Sequence, residues 1–143
     1  MAIKKVIVLG EDLCVRREGI AAAAISPGHL IQGPDTDLIV HGTAAENALP
    51  KFALENEVVG GGLDTDYADN DTVLYAVCPP GTIVYALADA TGLTAEDLVE
   101  SNGDGTFQVL SSIASTSQDQ LRRLVGKAID TAAANARFRL EIW

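Results

Sequence analysis

The sequence predicts a mainly β fold, and three stretches carry that prediction. In Asp71–Ala88, two runs rich in β-branched and aromatic residues flank the corner Pro79–Gly81, a pattern typical of two strands joined by a turn. The sequence Asn-Gly-Asp-Gly at Asn102–Gly105 is a strong signal for a β-hairpin, because both steps favour a positive φ. Apolar and polar residues alternate over Arg137–Ile142, which predicts a half-buried strand.

The stretch Asp71–Ala88 is the best-determined element. Proline at i+1 and glycine at i+2 predict a type II turn at Pro80-Gly81, with Thr72–Val77 and Thr82–Leu87 as antiparallel strands of one hairpin. Neither face of these strands is polar, so we expect both faces to be covered, by the chain's own core and by a subunit or partner. The residues expected to form the core or subunit face of the hairpin are Val73, Tyr75, Val77, Ile83, Tyr85 and Leu87.

One interpretation of the N-terminal region is a strand, a turn and a helix. Ile3–Leu9 predicts a strand that ends at Gly10, and Val15–Ala24 is compatible with a helix. A strand, a glycine turn and a helix begin a dinucleotide-binding unit, although Glu11 and Asp12 place carboxylates where the phosphates would bind. A small-ligand-binding β or α/β domain that uses the Val6–Asp12 strand and turn is therefore an alternative function.

Short strands are also predicted at Leu38–Val40 and Phe52–Glu55, and a polar loop at Ser111–Gln120. Two patterns conflict over Leu121–Ala134. Apolar residues at helical spacing, with Ser117 as the N-cap, favour a helix, whereas Leu124–Ile129 also fits a short strand.

Composition excludes several classes of function. The 143 residues carry 20 acidic and 10 basic side chains, a net charge of −10, which disfavours nucleic-acid binding. The longest run of low polarity, Gly19–Ile25, is too short to cross a bilayer, and the run after the basic start is too short for a signal peptide. We therefore expect synthesis in the cytoplasm and no membrane partner. Cys14 and Cys78 each lie in an apolar run, which favours two buried free thiols over a disulfide.

No catalytic, metal or cofactor site emerges from the residue spacing. His29 and His41 are the only histidines, and both are expected to be structural, at the surface or half-buried. The acidic stretch Asp64–Asp71 departs from the EF-hand pattern, so a solvated loop is favoured there and cation binding stays an open question. The residue spacing therefore singles out no residues for catalysis, and a hydrolase whose site the spacing does not reveal stays an alternative.

Several stretches, in order along most of the chain, resemble the head decoration (cement) proteins of tailed bacteriophages. They are Asp12–Ala22, Ser26–Leu30, His41–Ala44, Phe52–Glu55, Asp64–Ala68, Ser101–Thr106 and Val125–Asp130. The chain departs from the pattern at Thr94–Asp97, where Glu96-Asp97 replaces an expected Gly-Asp turn, and at the alanine-rich Thr131–Ala136. The resemblance favours a strand at Leu124–Ile129.

The resemblance implies a small β-rich domain that binds as a homotrimer to the outer face of a phage head. There it would bridge neighbouring capsomers of the major capsid protein and stabilise the DNA-filled shell, and the resemblance implies that the protein is not an enzyme and has no cofactor. The corresponding architecture is a compact β-barrel-like or β-sandwich-like domain with at most one or two short helices. We divide the chain into an extended N-terminal docking arm, residues 1–31, and a β-rich core domain, residues 32–143.

The arm is expected to lie along coat-protein edges by strand addition, with Arg16 and Arg17 as anchors to coat-protein carboxylates. The full set of expected docking residues is Leu13, Val15, Arg16, Arg17, Ile20, Ile25 and His29.

Overall fold

The computed structural model describes residues 2–111 and 117–143, without the side chains of Ser117 and Asp119. Within these residues there are eleven strands and one α-helix. The strands are β1 (Ile7–Leu9), β2 (Val15–Ile20), β3 (Ile31–Gln32), β4 (Ile39–Val40), β5 (Lys51–Ala53), β6 (Thr72–Val77), β7 (Ile83–Leu87), β8 (Leu98–Ser101), β9 (Phe107–Val109), β10 (Gly126–Ala128) and β11 (Arg137–Ile142). The helix α1 spans Ser117–Arg123, and short 3-10 turns occur at Glu11–Leu13 and Glu57–Val59. None of the described helices is long and apolar enough to cross a membrane.

The strands form three antiparallel sheets. The largest has six strands in the order β1-β7-β11-β10-β8-β9, the second has the order β2-β6-β5, and β3 pairs with β4. The mainly β prediction is confirmed, and the architecture is sandwich-like: within the described residues the sheets do not close into a barrel.

A bent β-ribbon connects the two larger sheets. The segment from β1 to β2 runs antiparallel to the segment from β6 to β7: Ile7 pairs with Val84 in one sheet, and Val15 with Val77 in the other. At the bend Gly10 has φ +86°, and a Cβ there would lie 2.7 Å from Cγ2 of Thr82. Only glycine combines a positive φ with the absence of a Cβ atom, so the bend depends on glycine at this position.

The main core lies between the two larger sheets. It contains Ala76 and Phe52 from the three-stranded sheet and Val84, Phe107 and Phe138 from the six-stranded sheet. Phe107 joins the layers, because its ring centroid is 6.0 Å from that of Phe52 and 6.2 Å from that of Phe138. A second cluster covers the opposite face of the three-stranded sheet, where Ile25, Ile31 and Leu38 pack on Val73 and Tyr75.

The predicted hairpin at Asp71–Ala88 is wrong in its pairing. The turn itself is present, because the N–H of Thr82 donates to the carbonyl oxygen of Pro79 (3.3 Å) and Gly81 has φ +91°. However, β6 and β7 belong to different sheets. Turns of types I and II do not match the twist of a two-stranded hairpin, and here each strand pairs with an N-terminal strand instead.

Both faces of β6 are covered by the chain itself, so this strand does not need the partner that the sequence suggested. Val73 and Tyr75 are buried in the second cluster, and Ala76 is buried in the main core. On β7, Val84 and Ala86 face the main core, whereas Ile83, Tyr85 and Leu87 are half-buried on the other side.

The second predicted hairpin and the alternating strand at Arg137–Ile142 are confirmed. Ser101 pairs with Phe107 across the Asn-Gly-Asp-Gly turn, in which Gly103 and Gly105 have φ +90° and +84°. In β11, Phe138, Leu140 and Ile142 are buried.

Over Leu121–Ala134 both patterns apply in part, because α1 ends at Arg123 and β10 follows at Gly126–Ala128. Residues 112–116 of the predicted polar loop lie outside the described residues, and Ser117–Gln120 begin the helix.

The N-terminal segment is extended, as expected, and the alternative helix at Val15–Ala24 is wrong because β2 pairs with β6 along its whole length. Residues 1–31 are not separate from residues 32–143: β1 and β2 each form an edge of a large sheet, and Ile25 is in the second core cluster.

The turn at Thr94–Asp97 keeps the geometry that a glycine would favour. Glu96 has φ +78°, and the N–H of Asp97 donates to the carbonyl oxygen of Thr94 (3.1 Å). The departure of the sequence from Gly-Asp therefore leaves the turn in place with a non-glycine residue in the left-handed region, which costs free energy.

Candidate interaction surface

The outer edge of β2 presents unpaired backbone groups. In an antiparallel pair, every second residue of a strand bonds the neighbouring strand, and the backbone groups of the residues between them point away from it. The N–H of Ala21 donates to the carbonyl oxygen of Asp71 (2.9 Å), which shows which residues of β2 face β6. Odd-numbered residues of β2 therefore bond β6, and the N–H and C=O groups of Arg16, Glu18 and Ile20 point outward. Those of Ile20 are bonded to Asp35 and Leu38 (2.7 and 2.8 Å). In the described part of the chain no strand pairs with this edge at Arg16 and Glu18.

Apolar side chains are exposed in the segment that leads into this edge. Leu9, Leu13 and Val15 each have 60% of their surface exposed, and Val8 adds a smaller share. These residues lie at the end of β1, in the following turn and at the start of β2. An open strand edge flanked by exposed leucine and valine side chains is suited to pairing with an extended segment of another chain.

The two arginines of β2 already have carboxylate partners within the chain. Arg16 forms an ion pair with Glu11, and Nη2 of Arg17 lies 2.6 Å from Oδ2 of Asp35. Both arginine side chains are about half exposed. Their use as anchors to a coat protein would require exchange of these partners or a shared contact with them.

A cluster around Tyr75 supports β2 from the neighbouring strands. The Tyr75 hydroxyl donates to Oδ1 of Asp35, and Nζ of Lys51 lies 4.4 Å from the centroid of the Tyr75 ring. The pKa of the Asp35 carboxyl is lowered, mainly because the carboxylate accepts the hydrogen bond from Tyr75. Burial raises the pKa of Tyr75 to about 12. Burial also lowers the pKa of Lys51. The cluster holds Asp35 ionised between three partners and fixes the position of Arg17.

The remaining expected docking residues are not all on this surface. Ile20 is exposed at the end of β2, but Ile25 is fully buried and His29 is half-buried. Nδ1 of His29 accepts a hydrogen bond from the N–H of Ser26 (3.1 Å), and burial lowers the pKa of the imidazole. Of the seven, Leu13, Val15, Arg16, Arg17 and Ile20 thus lie together.

His41 is structural and more deeply buried than expected. Its Nδ1 lies 2.6 Å from Oγ of Ser101, which has no exposed surface, and its Nε2 lies 3.3 Å from the carbonyl oxygen of Asn47. Since the serine hydroxyl is inaccessible, the pair connects two loops and does not form a nucleophilic site.

The acidic loop does not assemble a metal site in the described residues, where no group of three His, Cys, Asp or Glu side chains has suitable geometry. Its carboxylates serve other contacts. Oδ2 of Asp71 accepts the N–H of Ala68 (2.7 Å), and the exposed Asp64 lies 3.8 Å from Nη2 of Arg137.

The Val6–Asp12 turn, the alternative ligand site, is packed against the chain itself. Val6 is fully buried, its N–H donates to Oε2 of Glu55 (2.8 Å), and Gly10 is in contact with Thr82. Glu11 is occupied by Arg16. The geometry therefore favours a bend between two sheets over a pocket.

The class defined by this architecture is that of small, mainly β proteins with an open sheet edge. No protein-family model and no curated protein sequence matches the chain. Among solved structures it is similar to the N base of the head fiber gp8.5 in bacteriophage phi29, with a TM-score of 0.60 and 15% sequence identity. The alignment covers 91% of this chain and 94% of the other, so the likeness extends over the whole fold.

The sequence indicated the exposed segment around β2, but it did not indicate the residues that support this segment. Asp35 and Lys51 lie in loops or short strands far from β2 in sequence, and no local pattern connects them with Tyr75. Their placement depends on the pairing of β6 with both β2 and β5.

Proposed function

We propose that this chain is a capsid decoration protein that binds the outer surface of a phage head and bridges neighbouring capsomers of the major capsid protein. The observation that carries the proposal is the fold, which over nearly the whole chain is similar to that of the N base of the phi29 head fiber. The independent resemblance of its sequence motifs to head decoration proteins supports the same conclusion. The proposal includes no catalytic step and no cofactor.

The docking element in this proposal is the open edge of β2. A strand of the coat protein would pair with the outward backbone groups of Arg16 and Glu18, and Leu13 and Val15 would be buried beside it. The acidic excess of the chain, a net charge of −10, keeps the free protein soluble and gives it no attraction to packaged DNA.

A homotrimer would make this docking effective. Each open edge offers a short interface, but three linked subunits rebind before all of them dissociate, so the complex persists. A trimer over the junction of capsomers adds contact area that must be broken before their edges separate. It should therefore slow disruption of the shell by heat without changing its geometry.

The experiment uses phage heads assembled without this protein, to which purified chain is added and bound copies are counted by sedimentation and imaging. The informative variant is Glu18→Pro, because the lost N–H points away from β6 and its removal leaves the β2–β6 ladder intact. Glu18→Ala is the matched control, since it removes the same carboxylate and keeps the N–H.

We expect Glu18→Pro to lose binding and protection against heat while it retains the circular dichroism of the wild type, and Glu18→Ala to bind normally. Full occupancy by a folded Glu18→Pro variant would exclude the β2 edge as the docking element. Absence of binding by the wild-type chain would refute the decoration function itself. Deletion of Ile3–Ile25 is a less informative test than Glu18→Pro, because it removes β1 from the six-stranded sheet and β2 from the three-stranded sheet.

A further inference from the structure

The two cysteines of the chain meet at the bend of the β-ribbon. Cys14 directly precedes β2 and Cys78 directly follows β6, and their Sγ atoms are 3.3 Å apart. Both are free thiols; Cys78 is fully buried, whereas Cys14 is half-buried and reachable from solvent. This contact joins residues far apart in sequence, and nothing in the proposed docking function uses it.

The backbone geometry at this position suits a disulfide. The ladder of β2 and β6 extended by one residue places Cys14 opposite Cys78. The N–H of Cys78 donates to the carbonyl oxygen of Pro50 (2.9 Å), toward β5 and away from Cys14. The two cysteines therefore occupy a non-hydrogen-bonded position, where facing Cα atoms are closest, at about 4.5 Å. That separation lies within the range that a disulfide spans, about 4.4–6.8 Å.

We propose that Cys14 and Cys78 form a redox-active pair that closes to an intramolecular disulfide and ties β2 to β6. The oxidant is a small disulfide such as oxidised glutathione. The half-exposed Cys14 attacks first as its thiolate and forms a mixed disulfide, releasing one small thiolate. Cys78 then attacks Sγ of Cys14 and gives up its proton, and the second small thiol leaves. The protein loses two protons and two electrons, and one small disulfide takes them up to become two thiols.

The environment orders these two steps. Burial raises the pKa of the Cys78 thiol, and the neighbouring Cys14 raises it further, so Cys78 is the poorer first nucleophile. The Cys14 sulfur also lies 3.4 Å from the carbonyl oxygen of Gly10, which keeps it at the bend beside Cys78. Once the mixed disulfide has formed, the second thiol is already in contact with its target.

The bond would be absent in a reducing cytosol and would form when the protein reaches oxidising surroundings. It would then hold the end of β2 next to the open edge at Arg16 and Glu18, and so make the docking segment harder to peel from β6. This last consequence rests on the proposed function, whereas formation of the disulfide depends on the chain alone.

The test uses the purified full-length chain, first reduced and then freed of reductant, without phage heads. Oxidised glutathione is added, and free thiols, intact mass and linked peptides are measured on non-reduced samples. We expect loss of both thiols, a mass lower by two hydrogens, and one peptide pair joined through Cys14 and Cys78 within a single chain, with no covalent link between chains. The Tm of the oxidised form should exceed that of the reduced form by roughly 5–12 °C.

Cys14→Ser is the control, because the half-exposed site tolerates serine and the remaining Cys78 cannot form the bond. Its Tm should be insensitive to the oxidant. The wild-type comparison needs no substitution, so a folding defect in a variant cannot obscure the result. The proposal is overturned if both thiols of the wild type persist, if glutathione stays on Cys14, or if oxidation joins separate chains. Each of these outcomes is independent of whether the chain binds heads.

Discussion

Tyr75 is the side chain whose truncation should test the fold most directly. It is fully buried in β6 and packs in the second core cluster, with Ala53 of β5 on one side and Arg17 of β2 on the other. Tyr75→Ala removes the ring from between these strands, and large-to-small aromatic changes in cores cost about 3–5 kcal/mol. Since domains of this kind are stable by about 5–15 kcal/mol, the loss is a large share of the total.

The assay is urea unfolding followed by circular dichroism. With an m value of about 2 kcal/mol per M, the midpoint should fall by roughly 1.5–2.5 M at unchanged m. Tyr75→Phe should cost less than half as much, because it keeps the ring and removes only the bond to Asp35. Tyr85→Ala is the matched control on β7: its ring is half-buried on the opposite face, and its loss should cost about 1–2 kcal/mol.

Tyr75→Ala and Tyr75→Phe also test the contribution of the ionised Asp35 to stability. Because the folded-state pKa of Asp35 is lowered, the carboxylate contributes stability that is present above its unfolded pKa and is lost as pH falls through the folded value. Tyr75→Phe should therefore flatten the acid side of the stability profile. A loss below about 1 kcal/mol for Tyr75→Ala, or equal losses for the two Tyr75 variants, would refute the account of this cluster.

Two further predictions concern a turn and a histidine. Glu96→Gly should have a free energy of unfolding about 0.5–1 kcal/mol higher than that of Glu96→Ala. Both variants lose the ion pair with Lys127, but only glycine adopts the positive φ without strain. Equal urea midpoints for the two variants would contradict this. Burial is the main cause that lowers the pKa of His29. The carboxylates of Asp104 and Asp66 raise this pKa, and the charge of Arg137 lowers it, by smaller amounts. Near and below the unfolded value of about 6.5 the unfolded chain then binds more protons than the folded chain, so stability should fall as the pH is lowered through this value. His29→Asn, which keeps an acceptor for the Ser26 N–H, should weaken that slope, and an identical Tm profile from pH 5 to 8 would exclude the role of His29.

The elements that the sequence predicted correctly are those fixed by local chemistry. Gly103 and Gly105 adopt the positive φ that their hairpin needs, and the alternation in β11 places Phe138 and Leu140 inward. The turn at Pro80-Gly81 was also predicted correctly as a turn. Its local geometry could not reveal which strands pair, because β6 and β7 obtain their partners from the N-terminal segment.

The candidate surface was predictable only in part for the same reason. The exposed Leu13 and Val15 lie in the segment that the sequence resemblance indicated, but the burial of Ile25 follows from its bridge to Tyr67, a contact between distant residues. The cysteines show the limit most clearly. Each lies in an apolar run, which predicts a buried thiol, and only the register of β2 on β6 places one against the other.

The bent ribbon also sets the order in which the chain can fold. β1 and β2 emerge early in synthesis, yet Ile7 pairs with Val84 and Val15 with Val77, so neither strand has its partner until β6 and β7 have left the ribosome. The six-stranded sheet must wait longer, because β11 lies between β7 and β10. Closing such long loops before any contact is gained makes folding slow. During that interval the unpaired N-terminal strands of neighbouring nascent chains are free to pair with one another, and the acidic charge of the chain is then a kinetic safeguard against aggregation.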